Sequence, residues 1–265
     1  MPFFNGKLRM SFGKKRCLCW LCWLLLGGTL PWKAQGEETT HFHGIVASGY
    51  AWSMKADIRN IDYGYWADAE EGYNASLGNA PFFMLGVGYR FLQKVDVDFT
   101  YTVYGTFHYQ KQQTDERLDH RTRYFDLNHQ GAIFNISCYP HSFSCSQLEW
   151  TPFAGGGIGV GTSQISQFHT VFYTTSNGVG STTSIGSPTT KNAFAWQAMV
   201  GFRLRPKNSR LSLDLAYRYY NGGTFQGPSE IVNYSGVHVG GTEQATPWKG
   251  TFQTNQLYFA LHIAI

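Results

Sequence analysis

The sequence predicts an all-β protein, an eight-stranded antiparallel up-and-down transmembrane β-barrel. The clearest observation is a pair of alternating runs, AFAWQAMVGFRLR and LSLDLAYRYY, which flank a Pro-Lys-Asn-Ser turn between residues 193 and 220. Apolar side chains alternate there with small, polar or charged ones, and a period of two is that of a β-strand. Each run has about ten residues, the length that a tilted strand needs to cross a bilayer. The 30 glycines and the 17% of aromatic residues are also typical of such barrels.

The other strands follow from the same alternation. In chain order the eight predicted strands are residues 41–54, 81–91, 95–109, 122–139, 150–165, 193–205, 211–220 and 251–265. Short turns and long loops join them alternately, which is the topology of outer-membrane barrels. The barrel has to close, because lipid cannot satisfy the N–H and C=O groups of an open sheet edge.

Two of the predicted strands are irregular, and two of the predicted loops are long. The first strand has the least regular alternation. In the fourth, Phe125 and Leu127 are in odd register whereas Phe134 and Ile136 are in even register, so we predict a β-bulge near Gly131. The Ser/Thr/Gly-rich segment 167–192 and the segment 227–250 are predicted to be long loops.

The N-terminal segment has the features of a secretory signal peptide. A basic region up to Arg16 precedes an apolar stretch from Cys17 to Leu30, and Ala34-Gln35-Gly36 supplies small residues for cleavage. We therefore expect a signal peptide over residues 1–36 and a barrel domain over residues 37–265. Six of the 21 basic residues and none of the 17 acidic ones lie in the leader, which leaves a mature chain with a formal charge of −2. That balance does not favour nucleic acid as a partner.

Two cysteines remain in the mature chain. Cys138 and Cys145 stand on either side of Pro140 in a predicted short turn, and an even pair in a secreted protein is typical of a disulfide. The alternative is a pair of free thiols. We expect neither a metal site nor a cofactor, because no motif for one is present.

Charged residues accumulate on the strand faces that should point inward. An eight-stranded barrel is only wide enough for its interior to be filled by side chains, so charges there have to pair. We predict a salt-bridged, largely closed lumen. The alternative is a narrow passive channel in which the same charges select the small solutes that pass. The predicted lumen charge network consists of Arg90, Asp96, Asp98, Arg203, Asp214 and Arg218.

Aromatic residues in the first long loop are candidate contacts for a surface ligand, since rigid amphipathic rings are good contact residues. They are Tyr63, Tyr65, Trp66 and Tyr73, and the alternative is a girdle at the lipid headgroups. Catalysis has weaker support: His129, Ser137 and His262 could serve as nucleophile or base, but they form no compact motif. We predict that the protein is not an enzyme. A lipid-directed barrel enzyme and a soluble, lipocalin-like ligand binder are the remaining alternatives.

Several segments together resemble one family. They are PFFMLGVGYRF, TPFAGGGIGVG, WQAMVGFRL, LSLDLAYRYYNGG and NQLYFALHIAI, and they resemble the small OmpA-like outer-membrane β-barrels. The resemblance implies a porin-like, surface-exposed monomer in the outer membrane of a Gram-negative bacterium. Its expected partners are outer-membrane lipids, lipopolysaccharide, the barrel-assembly machinery through the C-terminal strand, and a surface ligand through the loops. It implies a structural or surface-interaction role.

Overall fold

Alternating faces fold the chain into long antiparallel strands. The computed structural model describes residues 42–58, 76–91, 94–114, 120–145, 147–174, 180–235, 238–244 and 247–265. The predicted signal peptide and Tyr63, Tyr65, Trp66 and Tyr73 lie outside the described residues. The strands are β1 Phe42–Ser53, β2 Asn79–Phe91, β3 Val95–Tyr104, β4 Phe107–Thr114, β5 His120–Cys138, β6 Phe143–Cys145, β7 Leu148–Thr174, β8 Gly180–Gly186, β9 Thr189–Pro206, β10 Leu211–Gln226, β11 Glu230–Ser235, β12 His238–Gln244 and β13 Lys249–Ala264.

Eight of these strands form a closed ring. Neighbours pair antiparallel in the order β1, β2, β3, β5, β7, β9, β10 and β13, and β13 pairs back to β1 through contacts such as His43 with Ala264. The predicted fold, an eight-stranded antiparallel barrel, is therefore confirmed. The start of β1, the end of β13 and the short turns lie at one end of the ring, the short-turn end. The longer connections start from the other end, the long-loop end.

Additional strands extend the barrel at its long-loop end. The third predicted strand is interrupted at Gly105 and Thr106, so β3 pairs with both neighbours while β4 pairs with β5 alone. β7 continues for 27 residues and pairs with β8, β8 pairs with β11, and β11 pairs with β12. The loop predictions for segments 167–192 and 227–250 were wrong in these parts, because polar Thr- and Ser-rich segments can form strands when neighbouring strands supply hydrogen bonds.

The outward face of the ring is apolar. Side chains in this band are about 40–64% exposed, as in Val87 at 63% and Phe194 at 64%. So large a continuous apolar surface is the lipid-facing band of a transmembrane barrel. It includes Val46, Phe83, Leu85, Phe99, Val103, Phe134, Ile136, Ile158, Val160, Val200, Phe202, Leu213, Leu215, Leu257, Phe259 and Ile263.

Within the described ranges, no helix has the length and apolar character to cross a bilayer.

The β-bulge predicted near Gly131 is wrong. Phe125 and Leu127 are 1% and 0% exposed, so they share the inward face with His129 and Ile133, and β5 keeps one phase throughout. The irregularity lies on the neighbouring strand instead, where Gln167 has a positive φ of 52° and the β5–β7 register shifts opposite Tyr124. Sequence reasoning took two inward apolar residues for outward ones because it expected a polar lumen along the whole strand.

The predicted disulfide between Cys138 and Cys145 is not formed, and both cysteines are exposed free thiols. Cys138 is opposite Ala154 on β7, whereas Cys145 is opposite Leu148 in the β6–β7 hairpin. Six residues of strand separate those levels, about 20 Å at ~3.3 Å per residue. A disulfide requires Cα atoms roughly 4.4–6.8 Å apart, so the short hairpin that β6 forms keeps the two thiols apart.

Candidate functional site in the barrel lumen

An ionic layer fills the short-turn end of the lumen. It consists of Arg90, Asp96, Arg203, Asp214 and His262, which β2, β3, β9, β10 and β13 direct inward through their alternating phase. Arg90 donates to both carboxylate oxygens of Asp96, from Nε at 2.7 Å and from Nη2 at 3.0 Å. His262 Nε2 lies 3.0 Å from Asp214 Oδ2.

Arg203 is the centre of this layer. Its Nε and Nη2 donate to the two oxygens of Asp214 at 2.7 and 2.8 Å, and its Nη1 donates to Asp96 Oδ2 at 2.6 Å. The guanidinium carbon also lies 4.3 Å from the ring centroid of Tyr139. Asp96 and Arg203 stand on β3 and β9, three steps apart around the ring, so their bond crosses the lumen. One planar cation thus joins two carboxylates, the geometry for which arginine is suited.

Arg218 and Asp98, the other two predicted charges, make no ion pair within the described part of the chain. Arg218 is 1% exposed; its Nε donates to Gln256 Oε1 at 2.6 Å, and the rings of Phe82 and Tyr258 lie 5.0 and 5.3 Å from its guanidinium carbon. Asp98 accepts a hydrogen bond from Asn135 Nδ2 at 2.7 Å. The six predicted charges therefore divide into four joined residues and two separate ones.

A central layer of aromatic rings lies next along the lumen. The ring of Tyr104 on β3 stacks on that of Tyr220 on β10 with centroids 5.7 Å apart, and these strands are opposite each other in the ring. The rings of His129 on β5 and Phe252 on β13, also opposite strands, are 4.2 Å apart. Phe107 packs on Phe252 at 5.1 Å. These contacts join opposite walls of the lumen at this level.

Only two of the three catalytic candidates come together. Ser137 and His129 are eight residues apart on β5, about 26 Å along the strand. Ser137 and His262 line the same cavity, where His262 Nε2 lies 3.0 Å from Asp214 Oδ2. His129 instead contacts Ser163 Oγ through Nδ1 and the Tyr220 hydroxyl through Nε2, both at 2.9 Å. These side chains are buried, at 2% exposure for both His129 and Ser163, so the imidazole acts as a linker between opposite walls.

Sequence reasoning missed a third layer, towards the long-loop end. Phe125 packs on Trp248 with ring centroids 5.1 Å apart and stacks on Tyr109 at 4.4 Å, while Phe225 and Phe168 pack on Trp248 at 6.0 and 5.9 Å. Trp248 falls in a segment that the sequence assigned to a loop. The odd phase of Phe125, continuous with that of His129, was the signal that could have revealed this layer.

Among the described residues, no group of three or more His, Cys, Asp or Glu side chains is arranged to hold a metal ion.

Comparisons with known proteins were made on sequence and on structure. No protein-family model matches the sequence, and no curated protein matches it. Solved structures do match. The outer membrane protein OprG from Pseudomonas aeruginosa aligns with a TM-score of 0.42 and 14% identity, over 85% of this chain and 97% of OprG. The outer membrane protein AlkL gives 0.38 and 17%, over 91% and 97% of the two chains, and Neisserial surface protein A gives 0.37 and 13%, over 84% and 97%.

The chain is similar in fold to small outer-membrane β-barrel proteins. Identities of this size concern the fold alone. The barrel assignment therefore rests on the strand pairing and the apolar outer face of this chain itself.

Proposed function

We propose that this protein is a non-enzymatic outer-membrane β-barrel with a closed lumen, whose role is structural or to make contacts at the cell surface. The observation that carries the proposal is the direct contact between opposite walls at successive levels of the lumen. Arg203 bonds to Asp96 in the ionic layer, and Tyr104 stacks on Tyr220 in the central layer. A lumen filled in this way is expected to give no path to solutes, so we assign the function to the outer surface and to the long-loop end.

The long-loop end is the part that we assign to the cell surface. β4, β8, β11 and β12 extend the sheet beyond the apolar band there, and His108 and Gln110 are exposed polar side chains on β4. We assign to this end the contacts with lipopolysaccharide or with a surface ligand. Tyr63, Tyr65, Trp66 and Tyr73, in the first of these segments, remain the proposed contact residues.

A narrow passive channel is the second candidate. It has one observation in its favour: a cavity of about 30 Å³ with mixed polar and apolar walls lies in the lumen, and Asp98 and Arg218 are among the residues that line it. For solutes to pass, however, the central aromatic layer would have to separate on one side of this cavity and the ionic layer on the other.

Conductance separates the two candidates. Residues 37–265 are refolded and reconstituted into planar bilayers, and we expect no steady current in the wild type because both layers are closed. A Tyr104→Ala/Tyr220→Ala double variant serves as a comparison, since it removes the stacked pair from the central layer. Stable openings of the wild type, with a conductance that rises in proportion to salt, would contradict the closed lumen and establish the channel.

The surface-contact role needs a test of its own. Intact cells displaying the wild type are compared, for binding to host cells and extracellular matrix, with cells displaying a variant in which Tyr63, Tyr65, Trp66 and Tyr73 are all replaced by Ser. The control replaces the β11–β12 hairpin, Glu230–Gln244, by a short Gly-Ser turn. We expect the aromatic replacement to reduce binding at equal surface amounts. Equal binding by wild type and aromatic variant would remove the assignment of these four residues.

A further inference from the structure

A chain of amide groups in the lumen fixes the orientation of Gln197. Asn135 Nδ2 donates to Asp98 Oδ1 at 2.7 Å, because a carboxylate oxygen can only accept. Asn135 therefore presents its Oδ1 to Gln197, whose Nε2 donates to it at 2.6 Å. This arrangement leaves the other end of the Gln197 amide, Oε1, buried and without a hydrogen-bond partner among the described residues.

Arg218, which lines the same cavity as Gln197, has an unpaired hydrogen-bond donor. Arg218 uses Nε for Gln256 and Nη1 for the sulfur of Met84 at 3.4 Å, and its Nη2 has no partner in the described chain. Arg218 is 1% exposed and Gln197 is 3% exposed, so bulk water satisfies neither group. A buried donor or acceptor that stays unpaired destabilises the folded protein by about 1–3 kcal/mol.

Both groups, together with Asp98, line the cavity of about 30 Å³ between the ionic layer and the central layer. We propose that this cavity is a binding site for bridging water, which accepts a hydrogen bond from Arg218 Nη2 and donates to Gln197 Oε1 and to Asp98. A cavity needs roughly 10–15 Å³ of such volume to hold one water, so this one has room for a bridging molecule. The two charges outside the ionic layer are thereby joined through water.

The charges in the wall select water over an ion. An anion near Arg218 would meet the carboxylates of Asp98 and Asp214, which line the same cavity, and a cation near those carboxylates would meet Arg218. Water can accept from the guanidinium and donate to the oxygens at the same time. This site goes beyond a closed lumen, since it makes the space between the two layers a hydrated chamber whose water exchanges slowly with bulk.

Two measurements on the refolded full barrel test the site. In detergent-solubilised protein with ¹⁵N-labelled arginine, we expect a cross peak between the Arg218 guanidinium protons and a long-lived water. Gln197→Met should remove or strongly weaken it, and Gln164→Met, on the exposed face of β7, should leave it unchanged. A cross peak that is absent in the wild type, or as strong in Gln197→Met as in Gln164→Met, would overturn the proposal.

Crystals of the wild type grown in bromide provide the second measurement, which does not depend on a variant that folds. We expect density in the cavity within hydrogen-bond distance of Arg218 Nη2 and Gln197 Oε1, without anomalous signal. An anomalous bromide peak there would show that the site binds an anion and not water. A cavity without density would show that no water is bound, and either result would overturn the proposal.

Discussion

Replacing Asp214 by alanine tests whether the ionic layer holds the barrel together. Asp214 is 3% exposed and accepts two hydrogen bonds from Arg203, at 2.7 and 2.8 Å, with a third contact to His262 at 3.0 Å. The substitution removes all three contacts. It leaves the Arg203 guanidinium buried with only Asp96 as a carboxylate partner.

The expected magnitude follows from burial. Breaking a buried ion pair on one side destabilises a protein by about 3–5 kcal/mol, because the remaining charge stays desolvated. A matched control is the exposed pair of Arg205 and Glu149, since Arg205 lies two residues after Arg203 on β9. Arg205 donates to Glu149 at 2.7 Å, and the two side chains are 45% and 21% exposed. Exposed pairs contribute about 0–1 kcal/mol, so Glu149→Ala should have little effect.

Denaturant unfolding in detergent micelles or lipid vesicles measures both variants, with tryptophan fluorescence and circular dichroism as probes. We expect Asp214→Ala to lower the free energy of unfolding by about 3–5 kcal/mol, and Glu149→Ala by at most about 1 kcal/mol. Added salt should reduce the effect of Glu149→Ala and hardly change that of Asp214→Ala, since buried pairs are screened much less. Equal losses in the two variants would refute the argument that the ionic layer is a structural plug.

Three further predictions concern the rest of the chain. Gly159→Ala should destabilise the barrel by about 1–3 kcal/mol in the same assay, since the new methyl group meets the backbone of β5. Gly44→Ala is the control, because a methyl group there has open space and should be close to neutral. Similar losses of stability in both variants would contradict this reasoning. Thiol labelling of the unfolded, non-reduced mature protein should titrate both Cys138 and Cys145, and finding none would restore the disulfide. Residues 37–265 should fractionate with the outer membrane and show β-rich circular dichroism in detergent, whereas a soluble monomer that needs no detergent would exclude the barrel in lipid.

Side-chain alternation was sufficient to predict the inward-facing charges, although not the inward Phe125 and Leu127. Asp96, Asp214 and Arg218 were assigned to the lumen from their phase alone, and all three are buried at 3% exposure or less. Gln256 and Tyr258 on the last strand follow the same rule. The reason is geometric: the period of two in a strand is local, so the sequence carries it residue by residue.

The partners of those residues could not be predicted in this way. Arg203 joins Asp96 and Asp214, while Arg218 meets aromatic rings and Gln256 and stays apart from Asp98. Each of these contacts depends on which strand lies across the lumen and at what height. Strand order, register and tilt are set by pairing around the whole ring, and a single strand contains no record of them.

The same division applies to the ends of the barrel. The eight-membered ring and the outward apolar band could be predicted from the sequence, because they follow from local alternation and from the need to satisfy every backbone group in lipid. The strand pairing was needed to show that β4, β8, β11 and β12 extend the sheet at the long-loop end, and that the β6 hairpin separates the two thiols. Those segments have weak patterns of their own and become strands because a paired neighbour supplies the hydrogen bonds.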